Sequence, residues 1–237
     1  PRDGNRDGIS ACDLGAYEYG DRFLVAATNG DGLAGYWKFD EAAGATSLDA
    51  AGHDLTAALQ NGASFTTDHA PLLFVAPHAL QSGLGAGAIV NDAPALNPVN
   101  ELTVAAWVRL NNSTGTQPIV SKLAGDATGP GYALLVRDGV LSAEAWDVLN
   151  QQHIITSDLT AGVWLHVAMT YKTDGDMAAY INGRLVGSRG VSDTLGISSA
   201  PLQMAVDGAL DDVRVYNRAL SAGAITALAG GRSCVTA

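Results

Sequence analysis

The chain has 237 residues, with 13 basic against 24 acidic side chains and a net charge of −11. Its acids are 20 Asp but only 4 Glu (Glu18, Glu41, Glu101, Glu144), and Gly reaches 28, a balance that favours turns over helix interiors and excludes a helical bundle. The bases are scattered rather than striped, which excludes a nucleic-acid partner, and 47% hydrophobic content suits one large core or two small ones.

Residues 1–32 read as an N-terminal extension. The chain opens at Pro1 without a basic-then-apolar leader, so any signal sequence is expected to be removed or to lie upstream. Asp3-Gly4-Asn5-Arg6-Asp7-Gly8-Ile9 follows the first half of a calcium loop. The position for a bidentate Glu is Leu14, and Asp13 falls one residue early, so a turn without metal is the expectation. Cys12 and Cys234 are the only cysteines and have no CxxC spacing. They are expected to form a disulfide, which would set the chain ends side by side in an oxidising compartment; the alternative is two unpaired thiols in the tails.

From Leu33 to Ala229 the pattern predicts strands separated by turns, ahead of a tail at 230–237. The runs are Tyr36–Phe39, Leu102–Leu110, Tyr132–Val136, Trp164–Tyr171, Ala178–Ile181 and Leu210–Tyr216, all β-branched or aromatic. Turn signals stand between them at Asn61-Gly62, Asp138-Gly139, Asp174-Gly175, Asn182-Gly183 and Asp207-Gly208. Asn182-Gly183 marks the clearest hairpin. Ser221 to Leu228 is the one helical stretch, with Ser221 as N-cap and Gly230-Gly231 as the stop. Many short strands with regular turns predict an all-β, two-sheet antiparallel sandwich or jelly roll with one short C-terminal helix. The longest apolar run, Leu72–Ala76, is too short to span a bilayer.

Catalytic chemistry is not expected. A glycosidase needs two carboxylates flanking a bond, and four dispersed Glu supply no such pair; Glu144 with Asp147 comes nearest. The five His show no HExxH or H-x3-H spacing, and His166 is expected to be a packed strand residue. Gly196-Ile197-Ser198-Ser199-Ala200 lacks the strand-turn-helix context of a nucleophile elbow. Gly83-Leu84-Gly85-Ala86-Gly87 has no following helix or lysine to hold a phosphate. Asn111-Asn112-Ser113-Thr114 holds two overlapping glycosylation sequons, meaningful only in a glycosylating host.

Three stretches together resemble the laminin-G-like, concanavalin A-like jelly-roll domains of bacterial secreted and surface proteins. They are Gly35-Tyr36-Trp37-Lys38-Phe39-Asp40-Glu41 with Gly44, Asp49-Ala50-Ala51-Gly52-His53 and Asn61-Gly62-Ala63; then Leu96-Asn97 with Leu102–Val108; then Trp164–Ala168, Tyr180–Gly183 and Gly208–Ser221. The order covers about residues 33–229. The shorter segment Cys12–Glu18 resembles the closing motif of secreted parallel β-helix proteins, which implies the C-terminal piece of a longer surface protein.

This resemblance implies an extracellular or cell-surface location, a non-catalytic glycan or cell-surface binding role, and core positions for Trp37, Trp107 and Trp164. Period-two alternation places Asp211 on one face with Val213 and Val215, where a buried carboxylate needs a partner. A jelly roll brings its first and last strands together, so Asp40, Asp49 and Asp211 are expected to converge on a structural calcium, with the His53 carbonyl as a further ligand. The other reading is that these Asp side chains bond backbone and organise turns. Trp146 lies outside the shared pattern and precedes Asp147, Asn150, Gln151, Gln152 and His153; Trp146, Asp147, Asn150 and Gln152 are the candidate ligand contacts. A second expected role is self-association into a surface layer or filament, suggested by the apolar stretch Ala70–Leu80; a remote glycosidase is a minor third.

Overall fold

The computed structural model describes residues 32–83, 85–123 and 129–231. The N-terminal turn motif, the segment Cys12–Glu18 and the Cys12–Cys234 pair lie outside the described residues.

Two antiparallel sheets face each other. The first contains β1 (Leu33–Trp37), β4 (Ser64–Thr66), β5 (Ala79–Ser82), β7 (Glu101–Leu110), β12 (Trp164–Lys172), β13 (Gly175–Ile181), β14 (Arg184–Val191) and β16 (Gly208–Tyr216). Its order is β14-β13-β12-β7-β16-β5-β4, with β1 also pairing β16. The second contains β2 (Thr46–Ser47), β3 (Ala57–Gln60), β6 (Gly87–Val90), β8 (Thr116–Ser121), β9 (Gly131–Arg137), β10 (Val140–Trp146), β11 (Gln152–Asp158) and β15 (Leu202–Met204), in the order β11-β10-β9-β8-β15-β6-β3-β2. Non-sequential neighbours within both sheets make this a jelly roll, the expected architecture.

The core lies between the sheets. Val104, Ala106 and Val108 of β7, Val167 and Met169 of β12, and Val213 and Val215 of β16 face Leu134 and Val136 of β9 and Leu141 and Ala143 of β10. Alternation puts the intervening residues on the outer faces. The outer face of the first sheet is itself partly covered: Ala105, Ala168, Ala178, Tyr180 and Tyr216 pack against Ile225 and Leu228 of α1 (Ala222–Ala229). Ser221 caps that helix as predicted, accepting the Ala224 N–H at 3.2 Å.

Asn182-Gly183 forms the expected hairpin between β13 and β14, with φ of 50° and 75°. Both residues are left-handed, the turn geometry that matches strand twist. Asp138-Gly139 and Asp174-Gly175 also sit at hairpin tips, but Asp207-Gly208 does not. Gly208 opens β16 with φ 154°, and a Cβ there would lie 2.0 Å from the Arg109 carbonyl oxygen. It is a close backbone approach rather than a turn.

Candidate functional site

The acidic residues expected to converge have separate surroundings. Asp49 follows β2 in a tight loop, and its carboxylate is engaged by the backbone. The N–H groups of Tyr36 and Ala51 donate to Oδ1 at 2.9 and 2.8 Å, and that of His53 donates to Oδ2 at 2.9 Å. The side chain thus ties the loop to β1, while the His53 ring stands 3.8 Å from Oδ2. Asp54 is exposed beside it, with φ 57°.

Asp40 and Asp211 differ from Asp49. Oδ1 of each is buried without a hydrogen-bond partner. Asp211 Oδ2 accepts the Ala70 N–H at 2.9 Å. Burial pushes the Asp211 carboxyl up to about 8, opposed by that N–H and reinforced by the Asp212 and Asp40 charges. Burial also raises Asp40, against the pull of Lys38. Among the described residues, no group of three or more His, Cys, Asp or Glu side chains is placed to hold a metal ion. A cation satisfying the two orphaned oxygens would draw its other ligands from carbonyls and water, which calcium accepts.

The alternation expected of β16 is broken at Asp212. That residue is left-handed, with φ 50°, and pairing with β7 slips from Asp211↔Trp107 to Arg214↔Ala105. The inserted residue is a β-bulge. It turns Asp211 away from the face that Val213 and Val215 present to the core, correcting the period-two expectation. The bulge also aims Asp212 at Arg214 and Tyr36: Arg214 Nη2 donates to Asp212 Oδ1 at 2.9 Å, and the Tyr36 hydroxyl donates to the same oxygen at 2.6 Å. The Arg214 guanidinium lies 4.3 Å from the Tyr36 ring centroid.

The candidate ligand loop joins β10 to β11. Asp147 organises it from within: its Oδ1 accepts the N–H groups of Leu149 and Gln151 at 2.9 and 2.8 Å, and its Oδ2 lies 3.0 Å from His153 Nε2. Burial works to raise this carboxyl, but the Gln151 N–H, His153 and the Leu149 N–H hold it below the usual range. Gln152 is not free either, since its amide donates to Glu144 Oε2 at 3.2 Å. Asn150 occupies a left-handed position at the exposed tip. Trp146 is half-buried against Leu123, Ala133 and Leu135 on the outer face of the second sheet, and its indole nitrogen is buried without an acceptor. Val148 and Leu149 are exposed beside it.

Glu144 is buried and surrounded by donors. Arg137 Nε and the Ser142 hydroxyl both lie 2.7 Å from its Oε1. Glu144 is thus ion-paired with Arg137, and Asp147 is engaged by the turn that follows it.

Trp164 departs from its expected core position. The side chain projects from the outer face of the first sheet and is half-buried. It stands directly across from Arg109 on β7, whose guanidinium lies 6.0 Å from the indole centroid. Asp68, from the loop after β4, accepts the indole N–H at 3.1 Å on Oδ1 and lies 2.8 Å from Arg109 Nη2 through Oδ2. Arg109 Nη1 also donates to Asn111 Oδ1 at 3.1 Å. Sequence reasoning missed this cluster because Asp68 is remote in sequence from β7 and β12, and because the shared pattern covered Trp164. Trp37 and Trp107 are buried as expected.

A family model described as the concanavalin A-like lectin/glucanases superfamily matches residues 82–226. No curated protein sequence matches the chain significantly. Among solved structures, the binding domain of Paraclostridial Mosquitocidal Protein 1 aligns with a TM-score of 0.67 and 17% identity over 84% of this chain and 52% of that one. The botulinum neurotoxin serotype D ligand-binding domain, in complex with N-acetylneuraminic acid, gives 0.66 and 18% over 88% and 52%. The binding domain of botulinum neurotoxin DC, in complex with rat synaptotagmin II, gives 0.66 and 15% over 84% and 51%. The chain spans about half the length of these domains, and identities this low carry the fold alone. The family match covers more than half of the sequence and rests on the strands that build both sheets: the chain belongs to the concanavalin A-like lectin/glucanase superfamily, in its laminin-G-type branch.

Proposed function

We propose that the chain is a non-catalytic extracellular module that binds glycans or cell-surface proteins. The observation that carries this is the state of Glu144 and Asp147: the carboxylates nearest to a hydrolytic pair are held by Arg137, Ser142, His153 and backbone N–H groups, leaving a rigid surface beside a half-buried Trp146. Rigid aromatics with fixed polar neighbours suit recognition more than proton transfer. The comparison domains that bind N-acetylneuraminic acid or synaptotagmin II support the same class of partner for this fold. A glycan array on the purified chain tests it, run beside hydrolysis assays with Glu144→Gln and Asp147→Asn. Bound glycan without turnover is expected; turnover abolished by either variant would overturn the non-catalytic assignment.

A structural calcium at Asp40 and Asp211 accompanies this proposal, supported by their two orphaned buried oxygens. Asp49 and His53 would then act through the loop they stabilise. Self-association is the second reading, and the exposure of Leu73 at 60% and Val75 at 71% within the loop crossing the first sheet favours it. Light scattering across a concentration series separates the two: a concentration-independent monomer removes self-association.

A further inference from the structure

We infer that Trp164, Arg109 and Asp68 form a binding site for a neutral pyranose on the outer face of the first sheet. The inference rests on the glycan-binding reading above and gives it a second location, distinct from the Trp146 hairpin. A flat indole left partly in solvent offers the apolar surface on which the C–H face of a sugar ring stacks. Its orientation is fixed from two sides, by the Asp68 carboxylate on the indole N–H and by the Arg109 guanidinium over the ring. Such fixing lowers the ordering cost of binding.

The polar half of the site is Asp68. It is 51% exposed, against 19% for Arg109. Among the described residues, Asp68 Oδ1 accepts the Trp164 indole N–H and Oδ2 is ion-paired with Arg109, and each carboxylate oxygen has capacity for a further hydrogen bond. Two vicinal hydroxyls can therefore donate to it without displacing either partner. Exposed Asn111, whose Oδ1 accepts Arg109 Nη1, adds an amide N–H group whose contact to Asp207, at 3.4 Å, is long. The charge state selects the sugar. Arg109 is already neutralised by Asp68, and the chain carries −11 overall, so a sugar carboxylate would have to displace Asp68 against a repulsive field.

The test follows the indole N–H resonances of the four tryptophans in the ¹⁵N-labelled chain, titrated with neutral and with sialylated oligosaccharides. A neutral oligosaccharide is expected to shift the Trp164 signal. Asp68→Ala, at an exposed position, should weaken that binding at least tenfold with the fold intact by thermal melting, and Asp176→Ala, which removes an exposed carboxylate from β13, should leave it unchanged. Shifts confined to Trp146 would overturn this site while leaving glycan binding standing. A Trp164 response to sialylated sugars alone would overturn the neutral-sugar assignment. If no glycan binds, both this site and the glycan-binding reading fall.

Discussion

Asp211 Oδ2 accepts the N–H of Ala70 at 2.9 Å across 141 residues of sequence, while its other oxygen is buried with nothing to bond. One half of the carboxylate pins a loop across the outer face of the first sheet. The other half, like its counterpart on Asp40, is a buried oxygen without a partner, which a bound cation or a proton would satisfy.

Calcium should therefore raise thermal stability, and chelation should lower it. A cation that binds only the folded chain contributes about 2.7 kcal/mol at a hundredfold excess over Kd, and about 2–4 °C in Tm accompanies each kcal/mol at this size. Asp211→Ala and Asp40→Ala should each remove the calcium response in differential scanning calorimetry. An identical melting curve with calcium and with chelator retires the metal.

Asp49 should behave otherwise. Its loss strands the partly buried N–H groups of Tyr36 and Ala51, and leaves the exposed His53 N–H to water; unmet buried donors cost about 1–3 kcal/mol each. Partial rescue by water leaves an expected destabilisation of about 3 kcal/mol for Asp49→Ala. Calcium should still stabilise that variant if Asp40 and Asp211 suffice as side-chain ligands. Abolition of the calcium response in Asp49→Ala would show instead that its loop is part of the cation site.

The strands, the Asn182-Gly183 hairpin and the Ser221 cap were legible because each depends on residues within a few positions of one another. The outer-face chemistry was not. Nothing in Leu210–Tyr216 signals that Asp212 adopts a left-handed backbone and turns Asp211 out of step with Val213; the bulge follows from pairing with β7, far away in sequence. Trp164 resembles a core residue by the family pattern, but alternation with Leu165 and Val167 sets it on the outer face, where the loop carrying Asp68 meets it. Asp147 illustrates a third limit. A polar residue in a turn reads equally as a ligand contact or as the turn's own acceptor, and here two local N–H groups engage it.

Gly208→Ala should destabilise the protein by about 3 kcal/mol or more, since a Cβ 2.0 Å from a backbone oxygen forces β16 away from β7. Gly223→Ala in α1 is the matched control: its Cβ would meet only Ser221 Oγ, at 3.9 Å. Relief of glycine's unfolded-state entropy should stabilise that variant by about 0.5 kcal/mol. Chemical denaturation measures both. Equal effects in the two variants would refute the close-approach account of Gly208.

His166 predicts how stability responds to acid. Its ring is buried edge-on to Trp107, at 5.5 Å between centroids, and its Nδ1 has no partner. Burial lowers its pKa to about 4, with Asp212 opposing and Arg214 assisting. The folded chain thus keeps this imidazole neutral where the unfolded chain, near 6.5, takes up a proton. Stability from this group is complete above about pH 6.5, falls as the pH drops towards 4, and changes little below that. The shift corresponds to roughly 3 kcal/mol at most. Protonation of Asp211, whose folded pKa of about 8 lies above its unfolded value, works in the opposite sense over the same range, so the His166 contribution is read as a difference: the Tm gap between wild type and His166→Gln should shift against the wild type between pH 7 and pH 4.5. Parallel curves for the two proteins would assign the acid sensitivity to other groups.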